Sequence, residues 1–115
     1  MKNPKELILI QTAKEYFDSA EDEIAKGRNN SAVVLYFKAL VALSDLYILQ
    51  MTGDTPASHN SRFALCREKF PDVYDLLDKD FPFYQNSYNI LMSKELAEVI
   101  REDAEKVAKE IGIKL

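Results

Sequence analysis

The sequence predicts an all-α fold, a single domain over residues 1–115 with about five helices packed as an up-and-down bundle. Apolar residues recur at three- and four-residue steps over long stretches, and no stretch of convincing length alternates with period two. Three glycines and four prolines in 115 residues are too few for a β-sandwich rich in turns or for a disordered chain. With 47% hydrophobic residues, the chain can fill one core of this size.

A helix over residues 31–51 is predicted to lie at the centre of the bundle, because it is apolar almost all round. Its polar exceptions recur every seven residues and form one narrow stripe: Ser31, Lys38, Asp45 and Thr52. Unpaired charges would be costly if buried here. Lys38 and Asp45 are therefore predicted to be either a solvent-facing stripe or structural ion pairs, or else part of a polar pocket or dimer groove.

The first helix is predicted over residues 4–26, with Asn3 as its cap and Pro4 at its first position, where a missing N–H costs nothing. The polar turn 27–30 follows. It is so short that the first two helices should pair antiparallel, and Asn30 is a plausible cap of the second.

The middle of the chain is predicted to be broken into short pieces. Ser58 should cap a helix over residues 59–69, and a short helix should follow over 72–79. Phe81-Pro82 is expected to interrupt the helical pattern before a segment over 83–92. Ser93 should then cap an amphipathic last helix over 94–111.

Charge and composition exclude several functional classes. The net charge of -4 disfavours nucleic-acid binding unless a local basic patch overcomes it. One cysteine and one histidine exclude an intrachain disulfide and leave too few ligands for a structural zinc site, which fits a reducing cytoplasm. No metal or other cofactor is predicted.

A membrane location is also disfavoured. The first apolar run, residues 7–10, is far shorter than a signal sequence or a membrane span. The central apolar stretch carries Lys38 and Asp45, and charges in the middle of a membrane span are costly.

The third helix presents His59, Arg62 and Cys66 on one side. Seven residues of helix rise about 10.5 Å, which is too far for His59 to deprotonate Cys66 directly. The pattern therefore favours a structural thiol with a surface or capping histidine over a nucleophilic cysteine.

Tyr84 and Tyr88 are spaced to form a stacking platform for a base or ring. The alternative is that they pack in the core with their hydroxyl groups at its rim.

The order of these features resembles that of the HEPN superfamily of small helical-bundle domains. The resemblance rests on small and aromatic residues at the helix positions and on the turn between the first two helices: Ala13, Ala20, Gly27, Arg28, Asn29, Asn30, Ala32, Tyr36, Phe37, Ala39, Gly53 and His59. The Phe-Pro pair, a tyrosine-rich segment and a charged last helix complete it. The resemblance implies a domain that commonly dimerises.

In many HEPN members a ribonuclease site consists of an arginine, four to six further residues and a histidine. This sequence departs from that pattern, since His59 is its only histidine and neither residue 54 nor residue 52 is arginine. Lys79 and Tyr84 have the right spacing, but Pro82 interrupts it and tyrosine is a poor base near neutral pH. The sequence therefore predicts a protein that is not an enzyme.

The function predicted from this resemblance is a non-catalytic, dimeric binding module that contacts a nucleotide, an RNA or a nucleotidyltransferase-type partner. Its candidate binding residues are Lys38, Asp45, His59, Arg62, Tyr84 and Tyr88. The alternative is a homodimeric interaction or scaffold protein without its own ligand. A groove that gathers Arg28, Lys38, Arg62 and Arg67 would favour the first function, and a large apolar patch the second.

The homodimer is predicted to use the central helix and the segment 84–92. Six amphipathic or apolar side chains are expected to exceed what one domain easily encloses: Tyr36, Tyr47, Phe83, Tyr84, Tyr88 and Met92.

Overall fold

The computed structural model describes residues 3–115, which form five α-helices and no strand. The helices are α1 (Pro4–Ala25), α2 (Asn29–Thr52), α3 (His59–Lys69), α4 (Pro71–Asn86) and α5 (Lys94–Glu110). The predicted all-α bundle is confirmed.

Helix α2 is the centre of the bundle, as its sequence predicts. It packs against α1, α4 and α5, and its Asp45 forms an ion pair with Arg62 of α3. Its length and composition would allow it to cross a membrane, yet 72% of its most apolar stretch is buried inside the domain. Burial on this scale is typical of a core helix.

Helices α1 and α2 form the predicted antiparallel pair. Glu6 near the start of α1 faces Gln50 near the end of α2, at 3.5 Å between Oε1 and Nε2. At the other end of the pair, the Tyr36 hydroxyl donates a 2.5 Å hydrogen bond to Glu21. Arg101 of α5 binds the same Glu21 carboxylate at 2.6 Å, so this carboxylate joins three helices.

Three predicted helix caps are confirmed. Asn3, Ser58 and Ser93 each accept a hydrogen bond from a backbone N–H in the first turn of the helix that follows. These bonds satisfy amide groups that have no partner within the helix.

The predicted cap at Asn30 is wrong, because α2 begins at Asn29, two residues before the predicted start, and the Asn30 side chain bonds elsewhere. It donates to the carbonyl oxygens of Ser87 and Ile90 and accepts from the N–H of Met92, each at 2.8 Å. These three bonds satisfy backbone groups of the α4–α5 connection that lie outside the helices.

The predicted break at Phe81-Pro82 is also wrong, since α4 continues through Pro82 to Asn86. An interior proline costs roughly 3 kcal/mol, because it removes one hydrogen bond and crowds the preceding turn. Here Phe81 packs within 6 Å of the rings of Phe37, Phe63 and His59. We attribute the continuous helix to this aromatic packing, which offsets the cost of the proline.

The domain encloses more of its aromatic side chains than predicted. Tyr36 is fully buried, Met92 is 9% exposed, and Tyr47, Phe83 and Tyr84 are partly buried. Of the six side chains expected to exceed the core, only Tyr88 is largely exposed, at 72%. Tyr36 packs on Phe17 of α1, and Tyr47 packs on Phe70. Because α4 extends to Asn86, it also brings Tyr84 onto Phe37 of α2.

Replacing Leu43 with alanine should lower the free energy of unfolding by about 2 to 5 kcal/mol, because this fully buried side chain of α2 would leave a cavity. Leu91→Ala is the control. Leu91 is 91% exposed, and its truncation should change the free energy by less than about 0.5 kcal/mol. Denaturant unfolding measures both, and equal midpoints for the two variants would contradict the central position of α2.

Candidate functional site

A groove of about 350 Å³ lies along the polar stripe of α2, between α1 on one side and α3 and α4 on the other. We call it the central groove. Its lining residues are Leu9, Tyr16, Phe37, Lys38, Val41, Ala42, Asp45, His59, Arg62 and Tyr84. Five of the six candidate binding residues thus lie in one place. The sixth, Tyr88, lies just outside, with its hydroxyl 3.3 Å from that of Tyr84.

An ion pair between Asp45 and Arg62 closes one end of the central groove. Arg62 Nε donates to Asp45 Oδ1 at 2.6 Å, and Nη2 donates to Oδ2 at 2.9 Å. Both residues are only 9% exposed. Two parallel bonds of this kind fix the orientation of both side chains, so the Arg62 guanidinium is held in place before any ligand arrives.

His59 is attached to the same guanidinium. Arg62 Nη1 lies 3.1 Å from His59 Nδ1. Because a guanidinium can only donate, Nδ1 must be the acceptor, and the neutral ring carries its proton on Nε2. Partial removal from solvent, together with the charge of Arg62, lowers the pKa of His59. Near neutral pH the ring is therefore uncharged, with Nε2–H as its donor.

Lys38 differs from Asp45, although both belong to the same polar stripe. Its side chain is exposed, and its ammonium lies 5.9 Å from the centre of the Tyr16 ring. Within residues 3–115 no carboxylate comes close enough to form an ion pair with it. The stripe therefore divides into one buried ion pair and one cation that remains available in the groove.

Aromatic rings form the wall opposite α1. The rings of Phe37 and Tyr84 are nearly parallel, with centroids 4.9 Å apart, and Phe81 packs behind them. Tyr84 thus packs on the core and also lines the central groove. The two interpretations of Tyr84 as core residue and as groove residue are compatible.

Cys66 has the features of the predicted structural thiol. It is completely buried, and this burial, with the nearby charge of Asp45, raises its pKa to about 11. The thiol is therefore protonated at neutral pH and packs as a small apolar side chain.

The basic residues gather only in part. Lys38 and Arg62 line the central groove, whereas Arg28 and Arg67 do not. Arg28 instead pairs with Glu23 of α1, at 3.4 Å between Nη1 and Oε1. Among the residues that the structure describes, no three His, Cys, Asp or Glu side chains lie close enough to hold a metal ion.

A larger cavity, of about 510 Å³, lies elsewhere, between the α3–α4 turn and α5. Its charged residues have both signs: Lys69, Asp72, Asp75, Lys106 and Glu110. In the described part of the chain none of them forms an ion pair that would fix its position. The central groove is the better candidate, because its polar groups are oriented.

The sequence did not single out Leu9, Tyr16 or Phe37 as groove residues. Phe37 directly precedes Lys38, but its apolar character indicated only core packing. Tyr16 lies beside the apolar line of α1 rather than on it, and this offset was the one available signal.

No protein-family model matches this chain, and no curated protein matches it. The resemblance to HEPN domains therefore stays a prediction based on the residues given above.

Replacing Arg62 with methionine should destabilise the protein by about 3 to 5 kcal/mol, because Asp45 would remain buried without its partner. The double variant Asp45→Leu/Arg62→Met should recover a large part of this loss, since no unpaired charge remains. Unfolding free energies of both single variants and the double variant measure the coupling.

The exposed pair Lys94 and Glu98, 3.8 Å apart, is the control. The corresponding single and double variants of Lys94 and Glu98 should give a coupling free energy of about 0.3 to 0.5 kcal/mol. Equal coupling energies for the two pairs would contradict the assignment of Asp45–Arg62 as a buried structural pair.

Proposed function

We propose that this chain is a HEPN-like, non-catalytic binding module whose central groove takes a nucleotide, either free or as one unit of an RNA strand. The observation that carries the proposal is the meeting of an unpaired ammonium, Lys38, with the ring of Tyr84 in one groove. A nucleotide combines the two matching groups, an anionic phosphate and a flat base.

The polar end of the groove suits the base or the sugar. Arg62 is held by Asp45, and the His59 ring attached to it supplies an N–H donor. Groups already fixed in their bound orientation lose little conformational entropy when a ligand binds. Binding here would therefore require little rearrangement of the polar side chains.

The size and charge of the groove limit the ligand. A volume of about 350 Å³ lies at the lower end of the range for small-molecule sites. Among residues 3–115, Lys38 is the one cation lining the groove that is not already paired, and the whole chain carries a net charge of -4. These features favour one ring and one phosphate over a long stretch of polyanion.

Replacing Lys38 with glutamine should weaken binding of a nucleoside monophosphate, or of a short single-stranded RNA, by tenfold or more, because the phosphate loses its only unpaired cation. Titration calorimetry of both probes measures this. Lys14→Gln, an exposed change on α1 outside the groove, is the matched control and should bind like the wild type. For RNA, one phosphate contact predicts a shallow salt dependence, with a slope of about -0.7 in a plot of log K against log salt concentration.

The RNA should also remain intact during the titration, since the arginine-to-histidine spacing is absent. Cleavage that disappears in His59→Ala would overturn the non-catalytic part of the proposal. The proposed nucleotide ligand would be contradicted if neither probe bound, or if the Lys38 and Lys14 variants bound equally well.

A second candidate function is the homodimeric interaction protein, favoured by the connection between α4 and α5. This segment exposes three large side chains, Tyr88, Ile90 and Leu91, although the Asn30 side chain fixes its backbone. Apolar side chains held rigidly in solvent are typical of contact surfaces. Val34 and Leu35 of α2 are half-buried, and they line a shallow surface groove together with Ser87 and Tyr88 of this segment.

If this surface forms a homodimer, light scattering at micromolar concentration should give nearly twice the chain mass of 13.2 kDa. The double variant Ile90→Ser/Leu91→Ser should have the mass of one chain, because it removes the exposed apolar contacts without changing a core residue. Leu7→Ser, an exposed change on α1, is the control. A wild-type protein that keeps the mass of one chain at high concentration would contradict the dimer.

A further inference from the structure

Two aspartates, Asp80 of α4 and Asp103 of α5, lie on the core faces of their helices. Asp80 follows Val73 and Leu77 at the spacing of one helix face, and Asp103 follows Ile100 in the same way. Asp80 is fully buried and Asp103 is only 4% exposed. Carboxyl groups in such places are rare unless they are paired.

The charges around this aspartate pair do not balance. Lys79 Nζ forms an ion pair with Asp103 Oδ2 at 2.8 Å and lies 4.0 Å from Asp80 Oδ1. Two charged side chains influence the pKa of Asp80: Asp103 of α5 and Lys79 of its own helix. Glu102 of α5 in turn raises the pKa of Lys79. Two ionised carboxylates would therefore share one ammonium.

The hydrogen bonds do not balance either. As a carboxylate, Asp80 finds no donor for either oxygen among the residues that the structure describes. Two carboxylates can only accept, so they cannot bond to each other unless one of them carries a proton. A proton on Asp80 supplies the missing donor and removes the excess buried charge.

We propose that Asp80 and Asp103 share one proton at neutral pH, and that they form a pH-sensitive contact which loosens α4 from α5 when this proton is lost to solvent. Burial and the hydrogen bond with Asp103 raise the pKa of Asp80 to about 8. Like-charge carboxyl pairs in other proteins titrate in the same coupled way.

The contact also influences the central groove. Phe81 follows Asp80 directly and packs against His59, Phe63 and Phe37. A shift of this turn of α4 would move the aromatic wall of the groove. The inference concerns the protein's own conformation and does not depend on the proposed ligand.

The direction of the pH dependence follows from the raised pKa. The ordinary pKa of an aspartate is 3.8, and the pKa of Asp80 in the folded protein is about 8, so the folded state holds the extra proton between these values. The stabilisation from this proton is complete below the lower value and is lost as the pH rises to about 8. Each unit of that rise can increase the unfolding constant by up to about tenfold.

Asp80→Asn tests the proposal, because the amide keeps the shape and the donor of the protonated acid but does not titrate. Urea unfolding between pH 5 and pH 9 should show a wild-type unfolding constant that rises several-fold more than that of Asp80→Asn. The variant should be the more stable protein at pH 8. Asp78→Asn, an exposed change in the same helix, is the control and should follow the wild type. Parallel curves for all three proteins would overturn the proposal.

Carbon-13 NMR of the carboxyl groups tests the wild-type protein directly, so the proposal stays testable if the variant fails to fold. We expect one buried aspartate to titrate near pH 8, with amide protection in α4 falling over the same range after correction for the intrinsic exchange rate. Titration of every aspartate below about pH 5, or unchanged protection in α4, would overturn it.

Discussion

The structure depends on the burial of one helix that is apolar on nearly every face. A helix such as α2 gains hydrophobic free energy only when neighbours cover it on several sides, and α1, α4 and α5 do so. Its polar stripe then has to be accommodated in the same core. Asp45 is neutralised by Arg62, while Lys38 reaches solvent. The central groove lies where the covering helices leave this stripe open, so the candidate site is a consequence of how the core is closed.

Much of the fold follows from local signals in the sequence. Proline at the first position of α1, serine before α3 and α5, and glycine after α2 determine helix ends through bonds or backbone angles within a few residues. The errors occur where distant residues decide. Pro82 stays helical because rings of α2 and α3 pack on its neighbour Phe81, and Asn30 bonds to a segment about 60 residues away. Neither partner can be identified from the residues near Pro82 or Asn30.

The sequence predicted which residues form the candidate site, but it did not predict how they are arranged. The seven-residue repeat of Lys38 and Asp45 placed them on one stripe, but it could not indicate that one is buried and the other exposed. The spacing of His59 and Arg62 predicted a shared face, whereas the orientation of that face toward Asp45 depends on how α3 crosses α2. Asp80 and Asp103 were missed, although both continue the apolar lines of their helices, because charged residues are usually assigned to the solvent side.

The three bonds made by Asn30 bear on the order in which the chain folds. Helices α1 and α2 meet across a short turn, so their contacts close small loops and can form early. The bonds from Asn30 join residues 57 to 62 positions apart, and closing such a loop costs entropy before the contacts compensate for it. The connection between α4 and α5 should therefore acquire its native backbone late, after α5 has docked on α2. During synthesis, Asn30 would leave the ribosome well before the segment that it binds.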